Sequence, residues 1–537
     1  MKRKLLYLGA LLIGVNSLAV AQVSNYQEGF FIQNEGWFGH DNGSINWFGN
    51  DGSAVYTVEQ KENAGDKDLL GATSQFGTIY GGKYYALSKM NNQVVVFDAV
   101  TMKKEGVVSG ISGNVNCIAF ASDEKAYIST TNGLFALNLT NNTMADADLS
   151  KTGATVGLIQ RVGNYIFAAS ESGVILVIDP TDDSIVTKVS TPGNYGFVVS
   201  KDGNVWANCG SSLTRINPVT FETKQFNVSN QLPVVWNPWK PDLLVASQEE
   251  NALFYGYGGD WSQDKVGKFV IDAEGELKED PSFSFVMPAG VTESNTQEIY
   301  GQIGFEPHSG QLLVLTVQSG WGDNYTHNWI HKVNTATGAI EESVKVASDK
   351  GQGYYWFAAM PVFTDTQDPE LDFGAELVVS KEEPLSISKA DFLRDADNLP
   401  ALASLSVSVA DNTLAEATTD GMAVKVSPLK NGITSLVVTA NSNGKEVTKE
   451  VPLRITAFGG VEDNLASEFN AYVSGSQIVV SGVADGSAEI YNLSGALVGK
   501  FAIEGGTVYA TENLASGVYV VKVSDCYHSK LFKVVIR

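Results

Sequence analysis

Short runs of apolar residues, each ended by a turn signal, fill most of the chain. The clearest example lies at residues 173–189, where the β-branched run 174–178 favours an extended backbone. Asp179 and Pro180 end this run, because an Asp side chain can bond the amide two residues on and Pro presets φ for a turn. Residues 185–189 then alternate apolar and polar side chains, as half-exposed strands do. The pattern predicts a strand, a turn and a second strand.

The same turn signal recurs along the first two thirds of the chain. Seven apolar runs end in Asp or Asn, at Asn50, Asp98, Asn138, Asp179, Asn217, Asp272 and Asn334. Successive signals are 48, 40, 41, 38, 55 and 62 residues apart. Strand repeats of this length are typical of propeller blades, so the spacing predicts a seven-bladed β-propeller. The two longest steps predict loops inserted between Asn217 and Asn334.

The two ends of the repeat region complement each other. Residues 29–59 hold three apolar runs, one strand fewer than a four-stranded blade needs. The apolar run at 353–363 follows the last turn signal and is predicted to supply the missing strand. Pairing these two segments would close the ring and remove both exposed sheet edges. We therefore assign residues 22–368 to the propeller.

Two further β modules are predicted after the propeller. A polar linker at 364–370 leads into short alternating strands, which predict an immunoglobulin-like or cadherin-like β-sandwich over residues 371–457. After a second joint at 458–463, residues 462–537 show alternating strands again and predict a small C-terminal β-sandwich. The predicted fold class is all-β: a seven-bladed β-propeller followed by two small β-sandwich domains.

Residues 1–21 have the pattern of a secretory signal peptide. Basic residues at 2–4 precede the apolar stretch 5–15, and small residues at 19–21 form a cleavage site. No cysteine follows the apolar stretch, so a lipid anchor is not expected there. No other apolar run reaches the roughly 18 residues that span a bilayer. We predict an exported protein without a transmembrane segment, located at the cell surface, in the periplasm or outside the cell.

Charge and cysteine content narrow the classes of partner. The formal net charge is −24, and so acidic a surface repels nucleic acid and anionic lipid, which excludes both as expected partners. Hydrophobic residues make up 44% of the chain and charged residues 18%, which is typical of a folded protein. Three cysteines, an odd number, argue against a disulfide framework. Cys117 and Cys209 lie in predicted strands and are expected to be small buried apolar residues.

Aromatic residues on glycine- and proline-rich loops are the leading binding candidates, because loops carry binding more often than blade cores do. Asn34 and Glu35 follow the first strand and are predicted to face the axis of the ring or its mouth, either as structural hydrogen-bonding groups or as ligand contacts. The aromatic candidates are Trp37, Trp236, Trp239, Tyr255, Tyr257, Trp261, Trp321, Tyr325, Trp329 and Trp356. The alternative interpretation is that these rings fill gaps between blades.

No catalytic or metal-binding constellation emerges from the sequence. His327 and His331 would share one face of an extended strand, but zinc sites usually need three or four protein ligands. Nucleophile elbows, zinc-protease helices and phosphate-binding loops are absent from the sequence. We therefore predict no catalytic residues and no metal ligands.

Residues 166–189 resemble the repeat unit of YVTN/YncE-type seven-bladed propellers. The opening residues 34–36 and the closing run 355–363 are similar to a Bacteroidetes branch of exported propellers, over roughly residues 28–365. That branch includes surface proteins that capture cobalamin and pass it to an outer-membrane transporter. The resemblance implies ligand binding at the cell surface, with cobalamin as the candidate ligand and a transporter as the candidate partner. No other cofactor is expected.

The two C-terminal modules also carry resemblances. Residues 384–457 resemble the cadherin-like modules of bacterial surface proteins, through residues 392–398 and 432–440. Residues 467–537 resemble the C-terminal sorting module of type IX secretion, most clearly at 489–495. The leading hypothesis is therefore an exported, non-enzymatic propeller that binds a small molecule or a surface protein. The alternatives are a structural or adhesive surface protein, and a propeller lyase or hydrolase.

Overall fold

The computed structural model confirms the all-β prediction. It describes residues 25–37, 41–193, 196–232, 244–259, 263–291, 295–320, 322–346, 358–458, 469–475, 477–483, 485–504, 508–510, 514–525 and 528–537. The helical segments are short and are α1 (Val58–Glu62), α2 (Lys389–Phe392) and the 3₁₀ turns Gly322–Thr326 and Pro400–Leu402. Within these described ranges, no helix is long and apolar enough to cross a membrane.

Strands β1–β29 occupy residues 29–363. The first fifteen are β1 Gly29–Asn34, β2 Ser44–Gly49, β3 Ala54–Val55, β4 Ser74–Tyr80, β5 Lys83–Ser88, β6 Gln93–Asp98, β7 Lys104–Val108, β8 Val115–Ser122, β9 Lys125–Thr130, β10 Gly133–Asn138, β11 Thr143–Met144, β12 Val156–Val162, β13 Tyr165–Ser170, β14 Val174–Asp179 and β15 Ser184–Ser190. The others are β16 Phe197–Val199, β17 Val205–Asn208, β18 Ser212–Ile216, β19 Thr223–Asn227, β20 Leu244–Ala246, β21 Ala252–Tyr257, β22 Lys265–Ile271, β23 Leu277–Glu279, β24 Gln297–Ile299, β25 Gly304–Glu306, β26 Gln311–Gln318, β27 Asn328–Val333, β28 Ile340–Val346 and β29 Ala358–Phe363.

These strands form successive antiparallel sheets in chain order. Strands β4–β7, β8–β11, β12–β15, β16–β19 and β20–β23 each make a four-stranded sheet of sequential neighbours, and β24–β28 make a five-stranded one. The remaining sheet has the order β29-β1-β2-β3, so the last strand of the region pairs with the first. In that pair Phe31 lies opposite Val362, and Thr364 Oγ1 donates to the Gly29 carbonyl at 3.0 Å.

Each sheet packs its apolar side chains against the next sheet in the chain. Tyr80 of β4 and Phe120 of β8, for example, stack at 4.1 Å between ring centroids. The sheet of β24–β28 in turn packs Leu313 and Ile330 against Phe30 and Phe48 of the first sheet. The last sheet therefore packs against the first, and the sheets form a closed ring.

The predicted Asx turn connects the third and fourth strands of a sheet. The Asp179 carboxylate accepts from the Thr181 amide at 2.8 Å and from the Thr181 hydroxyl at 2.7 Å. The chain then passes through Asp183 at φ 63°, whose amide donates back to the Asp179 carbonyl at 2.9 Å. The same side-chain bond to an amide two or three residues on is made by Asp98, Asn138, Asn217, Asp272 and Asn334. In the first sheet the acceptor is Asp51, one residue after the predicted Asn50.

A second module follows the ring. Its strands are β30 Glu370–Leu371, β31 Leu377–Val379, β32 Leu385–Ser388, β33 Leu393–Arg394, β34 Ser404–Val409, β35 Ala415–Thr419, β36 Ala423–Pro428, β37 Gly432–Ser442 and β38 Lys445–Ile455. Two sheets, β31-β38-β37-β34 and β32-β36-β35, enclose one apolar core that contains Phe392, Leu436 and Leu453. We call this unit the middle module.

The last module has its own core. Its strands are β39 Asn470–Ser474, β40 Gln477–Ser481, β41 Asp485–Asn492, β42 Leu497–Glu504, β43 Val508–Ala510, β44 Gly517–Ser524 and β45 Ser529–Ile536. They form the sheets β39-β40-β43 and β42-β41-β44-β45, which pack around Ile478, Ile490 and Val521.

The middle module docks on the ring through backbone contacts. The Gly163 amide donates to the Ala401 carbonyl at 2.8 Å, and the Leu405 amide donates to Asn164 Oδ1 at 3.0 Å. Gly421 stands so close that a Cβ there would lie 2.5 Å from the Asn164 nitrogen. Because glycine has no Cβ, it allows the two backbones to touch here. It also adopts a positive φ readily.

Replacing Gly421 by alanine is expected to loosen this docking. Gly421 has φ +82°, so the new Cβ brings both backbone strain and a clash. Hydrogen exchange in peptides that contain Gly163 and Leu405 should become at least about tenfold faster. Gly374→Ala is the matched control, because Gly374 has φ +71° but open space around it. If hydrogen exchange in these peptides is equally fast in the Gly421→Ala and Gly374→Ala variants, the proposed role of the close contact between Gly421 and Asn164 is contradicted.

Candidate functional site

A cavity of about 410 Å³ runs along the axis of the ring. One strand from every sheet of the ring lines it: β4, β8, β12, β16, β20, β25 and β29. Each of these strands stands at the inner side of its sheet, where the strands of all the sheets converge. The cavity therefore belongs to the ring as a whole and not to one pair of sheets.

The middle module covers one end of this cavity. Leu399, Leu402 and residues 441–443 of that module contribute to the lining. The Gly81 amide, just beyond the end of β4, donates to the Asn443 carbonyl at 3.0 Å and marks the same end. We call this the covered end of the cavity.

The opposite end lies beside the predicted residue Glu35. The Ser74 amide at the start of β4 donates to the Glu35 carbonyl at 2.9 Å. Strand β4 has seven residues, so its start and its end are roughly 20 Å apart. Glu35 therefore lies at what we call the far end, away from the middle module.

Polar atoms without partners line both ends of the cavity. Asn116, which is 7% exposed, donates from Nδ2 to the Val156 carbonyl at 2.8 Å, but no described residue bonds its Oδ1. At the covered end, the Oγ atom of Ser442 is buried and has no hydrogen-bond partner among the described residues. Buried polar atoms normally find partners, so these two atoms indicate that the cavity receives water or a polar ligand.

Arg161 is the only fully charged residue among the described residues that line the cavity. Its Nε donates to the Gly163 carbonyl at 2.9 Å, and its Nη1 donates to the Ala121 carbonyl and, at 3.5 Å, to that of Phe120. Burial lowers the pKa of its guanidinium from the ordinary value. No carboxylate of the described chain forms an ion pair with it, so the backbone fixes this cation without neutralising it.

A buried lysine stands nearby in the middle module. Lys389 is 1% exposed, and its Nζ donates to the carbonyls of Ala401 at 3.1 Å and Ala403 at 2.7 Å. Burial lowers the pKa of this ammonium to about 7, and the positive charge of Arg161 acts in the same direction. The charge of Asp420 acts in the opposite direction and raises the pKa of Lys389.

Two of the predicted aromatic candidates have buried rings. Tyr255 is buried, stacks on Phe269 at 4.3 Å between centroids, and accepts a hydrogen bond from Asn230 at 3.2 Å. Tyr325 is also buried and donates to Glu298 Oε1 at 2.6 Å. For these two rings, the interpretation as gap-filling residues fits the observed packing.

Three other candidates are partly exposed. Trp37 packs against the buried pair Val317 and Tyr325. Tyr257 and Trp329 each lie beneath a lysine ammonium, at 5.7 Å from Lys265 and 5.8 Å from Lys345 respectively. These rings keep accessible area, so a binding role for them stays a prediction. Trp236, Trp239, Trp261, Trp321 and Trp356 lie outside the described residues.

Asn34 and Glu35 are both buried. Asn34 Nδ2 donates to Ser44 Oγ at 3.1 Å, which is a structural contact within the first sheet. The Glu35 carboxylate acts on Lys89, whose pKa burial lowers to about 8 while Glu35 raises it. Glu35 also raises the pKa of Tyr300, although burial is the larger cause there. The far end therefore carries charges of both signs.

His331 is a structural residue. Its Nε2 lies 2.7 Å from Gln297 Oε1 and 3.0 Å from Thr316 Oγ1, and its Nδ1 lies 2.7 Å from Ser343 Oγ. Burial lowers the pKa of this imidazole to about 4, so the ring is neutral at physiological pH. Among the residues that the structure describes, no group of three or more His, Cys, Asp or Glu side chains is arranged to hold a metal ion.

The lining residues Asn116, Arg161 and Ser442 were not among the sequence candidates. A polar residue in the middle of a predicted inner strand, as at Asn116 between Val115 and Cys117, was the available signal. Cys117 itself is buried as predicted and also lines the cavity, and burial raises the pKa of its thiol to about 12. Cys209 is only partly buried, contrary to the prediction.

A closed ring of antiparallel sheets around an axial cavity defines the N-terminal part of the chain as a β-propeller. The family model described as "Domain of unknown function (DUF5074)" matches residues 28–364, so the chain belongs to that family. No curated protein matches the chain.

Solved structures with similar folds come from bacteria and fungi. A quinoprotein alcohol dehydrogenase-like protein from Bacteroides thetaiotaomicron is 16% identical, with a TM-score of 0.47, over 63% of this chain and 79% of its own. The extracellular domain of a one component system from the same organism is 12% identical, with a TM-score of 0.39, over 81% of this chain and 60% of its own. The Cps50 (Swd1) β-propeller domain of Myceliophthora thermophila is 11% identical, with a TM-score of 0.38, over 51% of this chain and 87% of its own.

Proposed function

We propose that this protein is an exported, non-enzymatic binding protein whose seven-bladed ring holds a small polar ligand in its axial cavity. The lining of the cavity carries the proposal. Its volume of about 410 Å³ suits a small molecule, and Asn116 and Ser442 present buried polar atoms to it without protein partners. Since an unpaired buried polar atom costs free energy, a ligand that pairs with either atom gains affinity.

The domain assignment belongs to the same proposal. Residues 1–21 act as the export signal, 22–368 form the propeller, 371–457 an immunoglobulin-like or cadherin-like β-sandwich, and 462–537 a sorting-like β-sandwich. Because the middle module covers one end of the axis, we expect the ligand to enter from the far end, where Glu35 lies.

A corrinoid is the second candidate ligand. It is too large for the axial cavity, so it would lie on the partly exposed rings of the far end. Trp37, Tyr257 and Trp329 are three of the partly exposed rings in the described chain. Aromatic rings offer a large contact area with few rotamers to freeze, which supports this second mode.

A ligand screen with two valine variants separates the two modes. The purified full chain is heated with cyanocobalamin, haem, neutral sugars, hydroxy acids and divalent metals in turn. A ligand present at a hundredfold excess over its Kd should stabilise the protein by about 2.7 kcal/mol. Val198→Trp places an indole in the axial cavity, which Val198 lines, whereas Val186→Trp adds the same ring on the outer strand β15, where Val186 is 42% exposed.

The proposal predicts that a small polar compound stabilises the native chain and the Val186→Trp variant but not the Val198→Trp variant. Stabilisation by cyanocobalamin that survives Val198→Trp would instead support the corrinoid mode at the far end. If no compound in the panel stabilises the protein, the proposal of small-ligand binding is contradicted and a protein partner is favoured.

A further inference from the structure

A single charged side chain lines the described part of the axial cavity, and it lies at the covered end. Arg161 supplies the only full charge among the described lining residues. No aspartate or glutamate of the described chain lines the cavity. With 60 acidic residues against 36 basic ones in the whole chain, an acid-free lining around a cation favours an anionic ligand.

The Arg161 guanidinium is held in place before any ligand arrives. Backbone carbonyls at the ends of β8 and β12 accept its Nε and Nη1 hydrogens, while no described residue accepts from Nη2. Because these carbonyls are neutral, they orient the guanidinium without neutralising its positive charge, which remains available to a ligand. A fixed, planar guanidinium with free donors recognises a carboxylate through charge-assisted hydrogen bonds, which are the strong class.

The surroundings of Arg161 match a ligand that also bears hydroxyl groups. Ser442 contributes its unpaired Oγ, and Gln248 and Asn398 line the same cavity near the covered end. Their amide nitrogens already donate, to the Asp397 carbonyl and the Asp395 carboxylate respectively, each at 3.4 Å, and their amide oxygens accept from no described residue. Amide and hydroxyl groups donate and accept hydrogen bonds, which is what the hydroxyls of a polar ligand require. Ser442 and Asn398 belong to the middle module, so the site is complete only when that module is docked.

From this geometry we propose that the covered end is a carboxylate-binding site, and that its ligand is a small hydroxylated carboxylic acid. Arg161 binds the carboxylate, while Ser442 and the neighbouring amides bind hydroxyls. The middle module is then part of the binding site as well as a spacer. This inference rests on the proposed function, because it names the ligand class of the same cavity.

Gluconate and sorbitol form a matched pair of probes. Both are open six-carbon chains with hydroxyl groups, and they differ in the terminal carboxylate. Calorimetric titration of the full chain should show gluconate binding at least about tenfold more tightly than sorbitol. Inorganic phosphate is the third probe, because it tests binding of a bare anion and is expected to bind more weakly than gluconate.

Variants then test the named residues. Arg161→Gln should weaken gluconate binding at least about tenfold and leave sorbitol binding within about threefold, whereas Arg161→Lys should retain part of the preference for gluconate. Lys188→Gln removes one positive charge from the exposed outer strand β15 and should change neither affinity. Ser442→Ala, which leaves the Arg161 contacts in place, should weaken gluconate binding about threefold to tenfold and serves if Arg161→Gln does not fold.

The outcomes separate this inference from the function on which it rests. If sorbitol binds as tightly as gluconate and Val198→Trp abolishes both, axial binding stands and the carboxylate site is wrong. If phosphate binds as tightly as gluconate, the hydroxylated-acid class is wrong. If gluconate fails to bind while a neutral compound of the screen binds in the axis, the inference again fails alone. If no small compound binds, the inference and the proposed function fail together.

Discussion

Replacing Phe31 by alanine is expected to destabilise the propeller by about 3–5 kcal/mol, the range for a fully buried aromatic residue in a core. Phe31 is 0% exposed, meets the Tyr84 ring edge-on at 5.3 Å, and lies opposite Val362 of the closing strand β29. Its removal leaves a cavity where the first sheet, the second sheet and the closing strand meet. Tryptophan fluorescence during urea unfolding measures the effect, because all nine tryptophans lie between residues 37 and 356.

Phe532→Ala is the control for this experiment. It removes the same ring from the last module, where Phe532 is partly buried and no tryptophan is present. The fluorescence transition should therefore stay within about 0.5 kcal/mol of the unmodified protein. A Phe31→Ala protein that is equally stable would show that closure by β29 does not hold the ring together.

Replacing Glu59 by glutamine is expected to stabilise the propeller at alkaline pH. Glu59 is 1% exposed, its Oε2 accepts from the Ile45 amide at 2.9 Å, and no described residue bonds its Oε1. Burial raises the pKa of this carboxyl to about 7, against which the Ile45 hydrogen bond is a smaller, opposing influence. The folded protein therefore favours the neutral, protonated form of Glu59.

The direction of this pH dependence follows from the linkage between proton binding and folding. A carboxyl whose folded pKa exceeds its unfolded value contributes stability that is fully present below pH 4.5 and is lost as pH rises through about 7. Glu59→Gln removes this dependence, so the variant should be more stable than the native chain by about 3 kcal/mol at pH 8, and nearly equal to it at pH 4.

Unfolding curves at several pH values check this prediction. Glu124→Gln is the matched control, because Glu124 is exposed and its replacement should change stability by less than about 0.5 kcal/mol at every pH. If the free energies of unfolding of Glu59→Gln and the native chain differ by a constant amount from pH 4 to pH 8, burial does not raise the pKa of Glu59 as described.

Local chemistry explains why the sheets and turns could be predicted from the sequence. An Asx turn such as that of Asp179 is completed within four residues, so its signal is present in the sequence itself. The missing fourth strand of the first sheet followed from counting apolar runs, and β29 at Ala358–Phe363 lies within the predicted segment 353–363. Residues 353–357 of that segment lie outside the described residues.

The cavity could not be predicted in the same way. Asn116, Arg161 and Ser442 come from three separate parts of the chain, and only the convergence of the inner strands and the docking of the middle module bring them to one axis. Loop composition also could not predict that the rings of Tyr255 and Tyr325 are buried. A tyrosine on a glycine-rich segment either projects outward or turns into the sheet, and the choice depends on partners such as Phe269 and Glu298 that are distant in sequence.

The location of a bound ligand tests the central claim most directly. A crystal structure of the full chain would be determined with the compound that stabilises it most in the thermal screen. The account predicts ligand density on the axis, between the seven inner strands, with a polar atom of the ligand within hydrogen-bond distance of Arg161 or Ser442. Ligand density on the outer loops beside Trp37 and Trp329, with only water on the axis, would contradict it.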